Sequence, residues 1–209
     1  MTAEVQGGSK KEIIPTHMTS HFYSLSPLAK GKEGGCIYDC RCQGGKLEAE
    51  DILSMMSIKI IGLGNSFRGD DAVGHVVARQ LLPYQGPSVS IIEGGVAGLN
   101  LLHEMEGTDK LILIDAVSSQ SAEGTITRFT VPEDLDTIAR LAWSPSGSST
   151  HGLGLQEALT LANTLGDLPP SVVIYGIELG RVDHGFELSP KVAKAVHTVV
   201  NRIVHEVTT

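Results

Sequence analysis

The chain has 209 residues, with 24 acidic side chains against 16 basic ones and a net charge of −8. Its 41 % hydrophobic and 19 % charged residues are the balance of a globular domain with a sizeable core. There is no basic stripe or aromatic-plus-arginine cluster of the kind nucleic acid requires, and no apolar run approaches the roughly 18 residues of a membrane span.

Residues 1–56 differ from the rest. They contain QGGSKK, KGKEGG and QGGK and few periodic apolar residues. Such a segment cannot bury enough apolar surface to offset the entropy of ordering, so a disordered extension is expected. Met55 and Met56 stand just before the first apolar run, and translation starting there is a second expectation. The N-terminus lacks the apolar h-region of a secretory signal. Cys36, Cys40 and Cys42 lie in one short tract. Three thiols with no histidine at a finger spacing read as inert cysteines rather than a metal site, and a reducing cytoplasm is the expected compartment.

From Ser57 the pattern alternates. IKIIGLG is a buried-strand run ending in a glycine turn, followed by Asp70 and Asp71 at the start of a helix with Val73, Val76, Val77 and Leu81 at helical spacing. SVSIIEGG is a second strand and GLNLLHEME a short helix. KLILIDA is a third strand, apolar until Asp115. GTITRFTV alternates like a half-exposed strand. PEDLDTIARLAW reads as a helix with Pro132 near its first turn. LGLQEALTLANTLG is a helix ended by Gly166, and SVVIYGIEL is a fifth strand. The last segment is a long amphipathic helix with Ser189 as N-cap and Pro190 at its first position.

Continuous Val/Ile/Leu strands separated by helices predict a three-layer α/β domain over 57–209. Its sheet is mostly parallel, twisted and five-stranded, with helices on both faces. Ligands of such sheets bind at the carboxyl ends of the strands. Asn65, Asp70, Asp71, Glu93, Asp115 and Glu178 all fall there.

A dinucleotide site fits poorly. GLGNSF supplies two of the three glycines of the phosphate-binding fingerprint, and Phe67 occupies the third. Asp70 and Asp71 would also set negative charge where a pyrophosphate should bind. A metal site accounts for more, since carboxylates at the ends of buried strands are costly unless paired or coordinated. Asp71 and Asp115 can converge from neighbouring strand ends. His151, in the Ser/Gly-rich SSTHGLGL loop, can be carried over the same edge. Two carboxylates and an imidazole leave open positions on zinc, nickel, manganese or iron alike. Each residue also has an ordinary reading: Asp70 as the cap of the first helix, Asp115 as a turn cap, His151 as a loop hydrogen-bonder. His75, His103, His197 and His205 are expected to face solvent from helices, and His184 lies in a loop that could approach the site. No Gly-x-Ser-x-Gly elbow or His-Glu-x-x-His motif is present.

GLGNSFRGDDAVG, IIEGGVAGLNLL, LILIDAVSS, THGLGL and the GIE of VVIYGIELG, in that order over about residues 57–207, resemble the hydrogenase maturation protease family. The resemblance implies a cytoplasmic endopeptidase. It would remove the C-terminal tail from the nickel-loaded precursor of the large subunit of a nickel-iron hydrogenase. The family's metal-binding set falls on Asp71, Asp115 and His151, which are also the expected catalytic residues. Nickel presented by the precursor is the expected metal, and other divalent ions would suit the donors. Asn65, Asp70, Gly94, Gly95 and Gly98 are substrate-binding candidates, the glycine turn as a place for an extended peptide. Some members carry glutamate where this chain has Asp71, and the short members lack the 56-residue front segment. Within the resemblance, the metal set could read the precursor's nickel, or a bound metal could polarise the scissile carbonyl, or two carboxylates could share a proton and activate water. Outside it stand a non-catalytic nickel-binding assembly chaperone and a nucleoside hydrolase or phosphorylase on a related scaffold.

Overall fold

The computed structural model describes residues 56–94, 99–143, 154–181, 185 and 187–208, all within one compact unit spanning 46–209. The expected extension, apart from Met56, lies outside the described residues, as do the three cysteines.

Four strands run parallel: β1 (Ile58–Gly62), β2 (Val89–Glu93), β3 (Lys110–Ser118) and β6 (Ser171–Glu178). β4 (Ile126–Val131) closes one edge antiparallel to β6, giving the order β2-β1-β3-β6-β4. The two-residue β5 (Ala142–Trp143) pairs antiparallel with β3.

Side-chain alternation makes β3 a strand buried on both faces. Ile112 and Ile114 enter one core with Val73, Val77 and Leu81 of α1 (Val73–Leu81) and Val192, Val196, Val199 and Ile203 of α5 (Pro190–Thr208). Leu111 and Leu113 enter a second core with Leu101 and Met105 of α2 (Leu99–Met105), Ile138 of α3 (Leu135–Ile138), and Leu159 and Ala162 of α4 (Leu155–Leu165). The expected three-layer, mostly parallel α/β architecture is the one observed. Gly166 ends α4 as expected, in the left-handed conformation at φ 79°, its N–H donating back to the carbonyls of Ala162 and Asn163.

Two stretches depart from expectation. Residues 132–143 do not form one helix. The Asp134 carboxylate accepts the Thr130 N–H at 2.7 Å and turns the chain, leaving a single helical turn at α3. Trp143 then packs edge-on against Phe129, at 5.6 Å between ring centroids, and donates its Nε1–H to Ile138 O at 2.9 Å. Tertiary packing of one large indole overrides a helical pattern only four residues strong. Asp115, moreover, does not close its strand. β3 runs three residues further because β6 accompanies it to Glu178.

That extension shapes the sheet edge. The ladder between β1 and β3 ends at the pair Gly62 and Ile114, and the ladder to β5 begins at Val117. Asp115 and Ala116 sit in the notch between. Since β2 lies on the far side of β1 and β3 on the near side, the notch is at the point where chain direction across the sheet reverses, the usual ligand position of an open α/β sheet.

α1 reaches the notch through glycines. A Cβ on Gly62 would stand 2.1 Å from Gly74 O, and one on Gly74 would stand 2.3 Å from Leu63 O and 2.5 Å from Ile114 O. The first and last glycines of the G-x-G-N-x4-D-D-x2-G segment therefore serve one contact, backbone against backbone.

Candidate active site

Between β1 and α1 the chain makes a short 3₁₀ turn, Gly69–Ala72, whose four residues are all buried. It places Asp70 and Asp71 side by side and sends them to different work.

Asp70 is not the cap of α1. Neither the 3₁₀ turn nor α1 has a side-chain cap hydrogen bond. Its Oδ2 instead accepts the N–H groups of Gly180 (3.0 Å) and Arg181 (2.7 Å), and its Oδ1 accepts that of Ser189 (2.6 Å). Fully buried, it fastens the exit of β6 and the entrance of α5 to the site turn. Residues 68–70 also pair by backbone with this exit: Gly69 N–H donates to Gly185 O at 2.9 Å and Asp70 N–H to Arg181 O at 3.1 Å. A local sequence window suggests a local cap, and the partners 110 to 119 residues away are invisible to it. Ser189 holds the expected N-cap position through its carbonyl, which accepts the Ala193 N–H at 2.8 Å, but its buried hydroxyl makes no cap bond.

Asp71 is fully buried and Asp115 is 4 % exposed. Asp71 acts on Asp115 as a neighbouring like charge. Burial pushes the Asp115 carboxyl up to about 8; the Ala116 N–H, donated to its Oδ1 at 2.8 Å, lowers it less than burial raises it, and Asp71 raises it further. A divalent cation would favour the ionised form of carboxylates placed this close in a buried site, which is the fit a metal would find here.

Asp115 projects from β3 with Leu111 and Leu113, on the α2–α4 face. Trp143 and Leu155, which bracket the stretch carrying His151, pack in that same face. Opposite Asp115 in register is Gly176 on β6, where a Cβ would meet Trp143, Val117 and Phe129 at 3.2–3.3 Å. His151 itself lies outside the described residues, as do His184, Gly95 and Gly98. Among the described residues no three His, Cys, Asp or Glu side chains form a metal-binding group.

The remaining candidates are part of the rim. Asn65 builds the turn: its Oδ1 accepts the Phe67 N–H at 3.0 Å and its N–H donates to Asp71 O at 3.1 Å. Phe67, in the place of the missing glycine, is 65 % exposed on that rim. Gly94 has φ 73°, and its N–H donates to Gly62 O at 2.8 Å. Glu178 is buried and committed: its carboxylate accepts the Ser119 N–H at 3.0 Å and the Ser119 hydroxyl at 2.5 Å. His75 is not turned to solvent but half-buried, its Nε2 at 3.0 Å from Gly64 O. Its one sequence signal is its place four residues after Asp71, one helical turn on.

Residues 73–206, more than half of the chain, match the family model described as hydrogenase maturation protease. This chain belongs to the hydrogenase maturation protease family. The protease is 28 % identical over 155 residues to the hydrogenase 2 maturation protease of Escherichia coli K12, covering 71 % of this chain and 89 % of that one. It is 32 % identical over 138 residues to the hydrogenase expression/formation protein HupD of Bradyrhizobium diazoefficiens, covering 65 % and 69 %. Its fold superposes on that of the hydrogenase maturating endopeptidase HybD from E. coli with a TM-score of 0.62 at 26 % identity, over 73 % of this chain and 93 % of that structure. Membership makes the protein an endopeptidase, a hydrolase of hydrogenase maturation. Nothing in these likenesses favours a non-catalytic nickel carrier.

Proposed function

We propose that this protease removes the C-terminal tail from the nickel-loaded precursor of a nickel-iron hydrogenase large subunit. The reading is supported by one observation: two buried carboxylates, Asp71 and Asp115, lie close enough at the carboxyl ends of the parallel strands for the charge of one to act on the other. Asp71, Asp115 and the imidazole of His151 would hold the precursor's nickel. The ion is the substrate's cargo, and it supplies the positive charge that lets both acids ionise.

That charge balance gives the site its selectivity. A precursor without nickel would confront two acids that repel each other in dry surroundings, and it would bind weakly. A loaded precursor completes the set and is held with its tail across the edge. Gly94, just past the end of the edge strand β2, would offer its backbone to an extended peptide. One carboxylate of the pair would then accept the proton of the attacking water. We place this reaction in the cytoplasm, where Cys36, Cys40 and Cys42 would stay reduced. Among the described residues no helix is long and apolar enough to cross a membrane.

The test is processing in vitro. The protein is mixed with nickel-loaded precursor and, separately, with nickel-free precursor, and the large subunit is followed on a gel. Shortening of the loaded precursor alone is the expected outcome. Equal shortening of both would remove nickel from the recognition step. Nickel bound with every tail intact would make the protein a carrier.

A further inference from the structure

α1 carries a device that the pair of acids does not use. The Gly64–Asn65 peptide unit is held at both of its polar ends from one helical turn. Its N–H donates to Asp71 O at 3.1 Å, and its carbonyl lies 3.0 Å from Nε2 of His75. A carbonyl can only accept, so Nε2 carries the proton in this bond. The imidazole also fills the space over Gly94. A Cβ at that glycine would stand 1.8 Å from Cε1, 2.4 Å from Nδ1 and 2.5 Å from Nε2. Gly94 is in the left-handed region, where a side chain is disfavoured in any case. One turn further along α1, Arg79 pairs with Glu93, the residue before that glycine. Residues 75 and 79 thus grip two consecutive positions at the end of β2, and residue 75 also grips the turn at the end of β1.

We propose that His75 is a positioning residue of the processing reaction: it couples the Gly64 turn beside Asp71 to the Gly94 turn expected to take the substrate peptide. The inference rests on the processing function proposed above. A bond from α1 to either turn alone would be ordinary packing. A single ring that contacts both fixes the distance between the metal-reading acids and the peptide backbone. Without the ring, Gly94 loses the wall that confines it, and the Gly64 carbonyl loses its donor. Asp115 keeps its own support, the Ala116 N–H. The loss should therefore fall on substrate binding rather than on the chemical step.

Two substitutions separate the parts. His75→Leu keeps bulk but no donor; His75→Gln keeps a donor that can reach Gly64 O. With nickel-loaded precursor, His75→Leu should raise KM roughly tenfold while kcat changes less than about twofold, and His75→Gln should recover most of the KM. Hydrogen exchange supplies a readout independent of turnover. The amides of Asn65 and Gly94 should exchange faster in His75→Leu, with those of Leu111–Ile114 unchanged. An unaltered KM, or a fall in kcat equal to the rise in KM with no rescue by glutamine, would overturn the proposal. So would unaltered exchange at Asn65 and Gly94. Should wild-type protein leave the loaded precursor intact, the processing reading fails by itself, and exchange alone decides whether His75 ties the two turns.

Discussion

Two groups of acids lie at the sheet of this protein, and they are built in opposite ways. At the far face, Glu206 of α5 accepts hydrogen bonds from Tyr175 (2.7 Å) and Arg128 (2.8 Å), with Lys110 Nζ at 3.3 Å. Burial alone would raise its carboxyl, but the bonds from Arg128 and Tyr175 and the charge of Lys110 outweigh burial and hold it below the ordinary range. Burial first, then the bond to Glu206 and its charge, push the Tyr175 phenol up to about 12, with Arg128 acting in the opposite direction. At the notch, burial drives the Asp115 carboxyl upward, Asp71 adds to the rise, and the Ala116 N–H offsets only part of it. The first arrangement fastens the last helix to β3, β4 and β6. The second favours the protonated form of a buried acid, a perturbation of the kind that clusters at working sites.

The sharpest way to break this contrast is Asp115→Asn. If the pair reads the precursor's metal, the variant should process loaded precursor on the order of 100-fold more slowly or worse, since a ligand matters at least as much as the residues behind it. His151→Ala should do the same. Processing at the parental rate by both would detach the notch from the reaction. Asp70→Ala should separate the two adjacent acids by stability instead. It strands three backbone N–H groups in a buried place and should cost about 3 kcal/mol in urea unfolding. A cost below about 1 kcal/mol would show that the β6 exit is held by other means.

pH sharpens the comparison further. Asp115 titrates near 8 in the folded chain against an ordinary value of 3.8, so the folded state keeps a proton that the unfolded state releases. Its stabilising contribution is full below about pH 4 and is lost as pH rises to about 8. Without added divalent ions, melting temperature should fall across that window. Asp115→Asn cannot release the proton, so its curve should lie above the parent by roughly 5 °C at the alkaline end. Parallel curves would refute the assignment. Tyr175→Phe should have the smallest effect: about 1 kcal/mol of stability from the lost bond to Glu206, with processing unchanged. A loss of processing there would mean the two acid groups communicate.

Much of this was legible from the chain. The alternation of Leu111, Ile112, Leu113 and Ile114 announces a strand buried on both sides, and the spacing of Gly62, Gly64 and Gly74 announces a tight strand-to-helix join. Asp71 and Asp115 stand out because acids at the ends of apolar runs need a reason. What escaped depends on distant partners. Asp70 looks like a cap until Gly180, Arg181 and Ser189 are brought to it. His75 looks like a surface residue until Gly94, just past the end of β2, leaves a space that its ring fills. β5 hides inside a helical pattern because only the fold brings Trp143 to Phe129.

The seat of α1 on β1 has a last consequence. Where Gly62 meets Gly74, main chain rests on main chain, with no side chain between to flex or repack. Even a single methyl there would act as a shim, pushing the mount of Asp71 away from the main chain of β1 or β3. Two short aspartates have no long, adjustable arm with which to re-aim. At these two positions the tolerance for change is set by alignment, well before the domain is in any danger of unfolding.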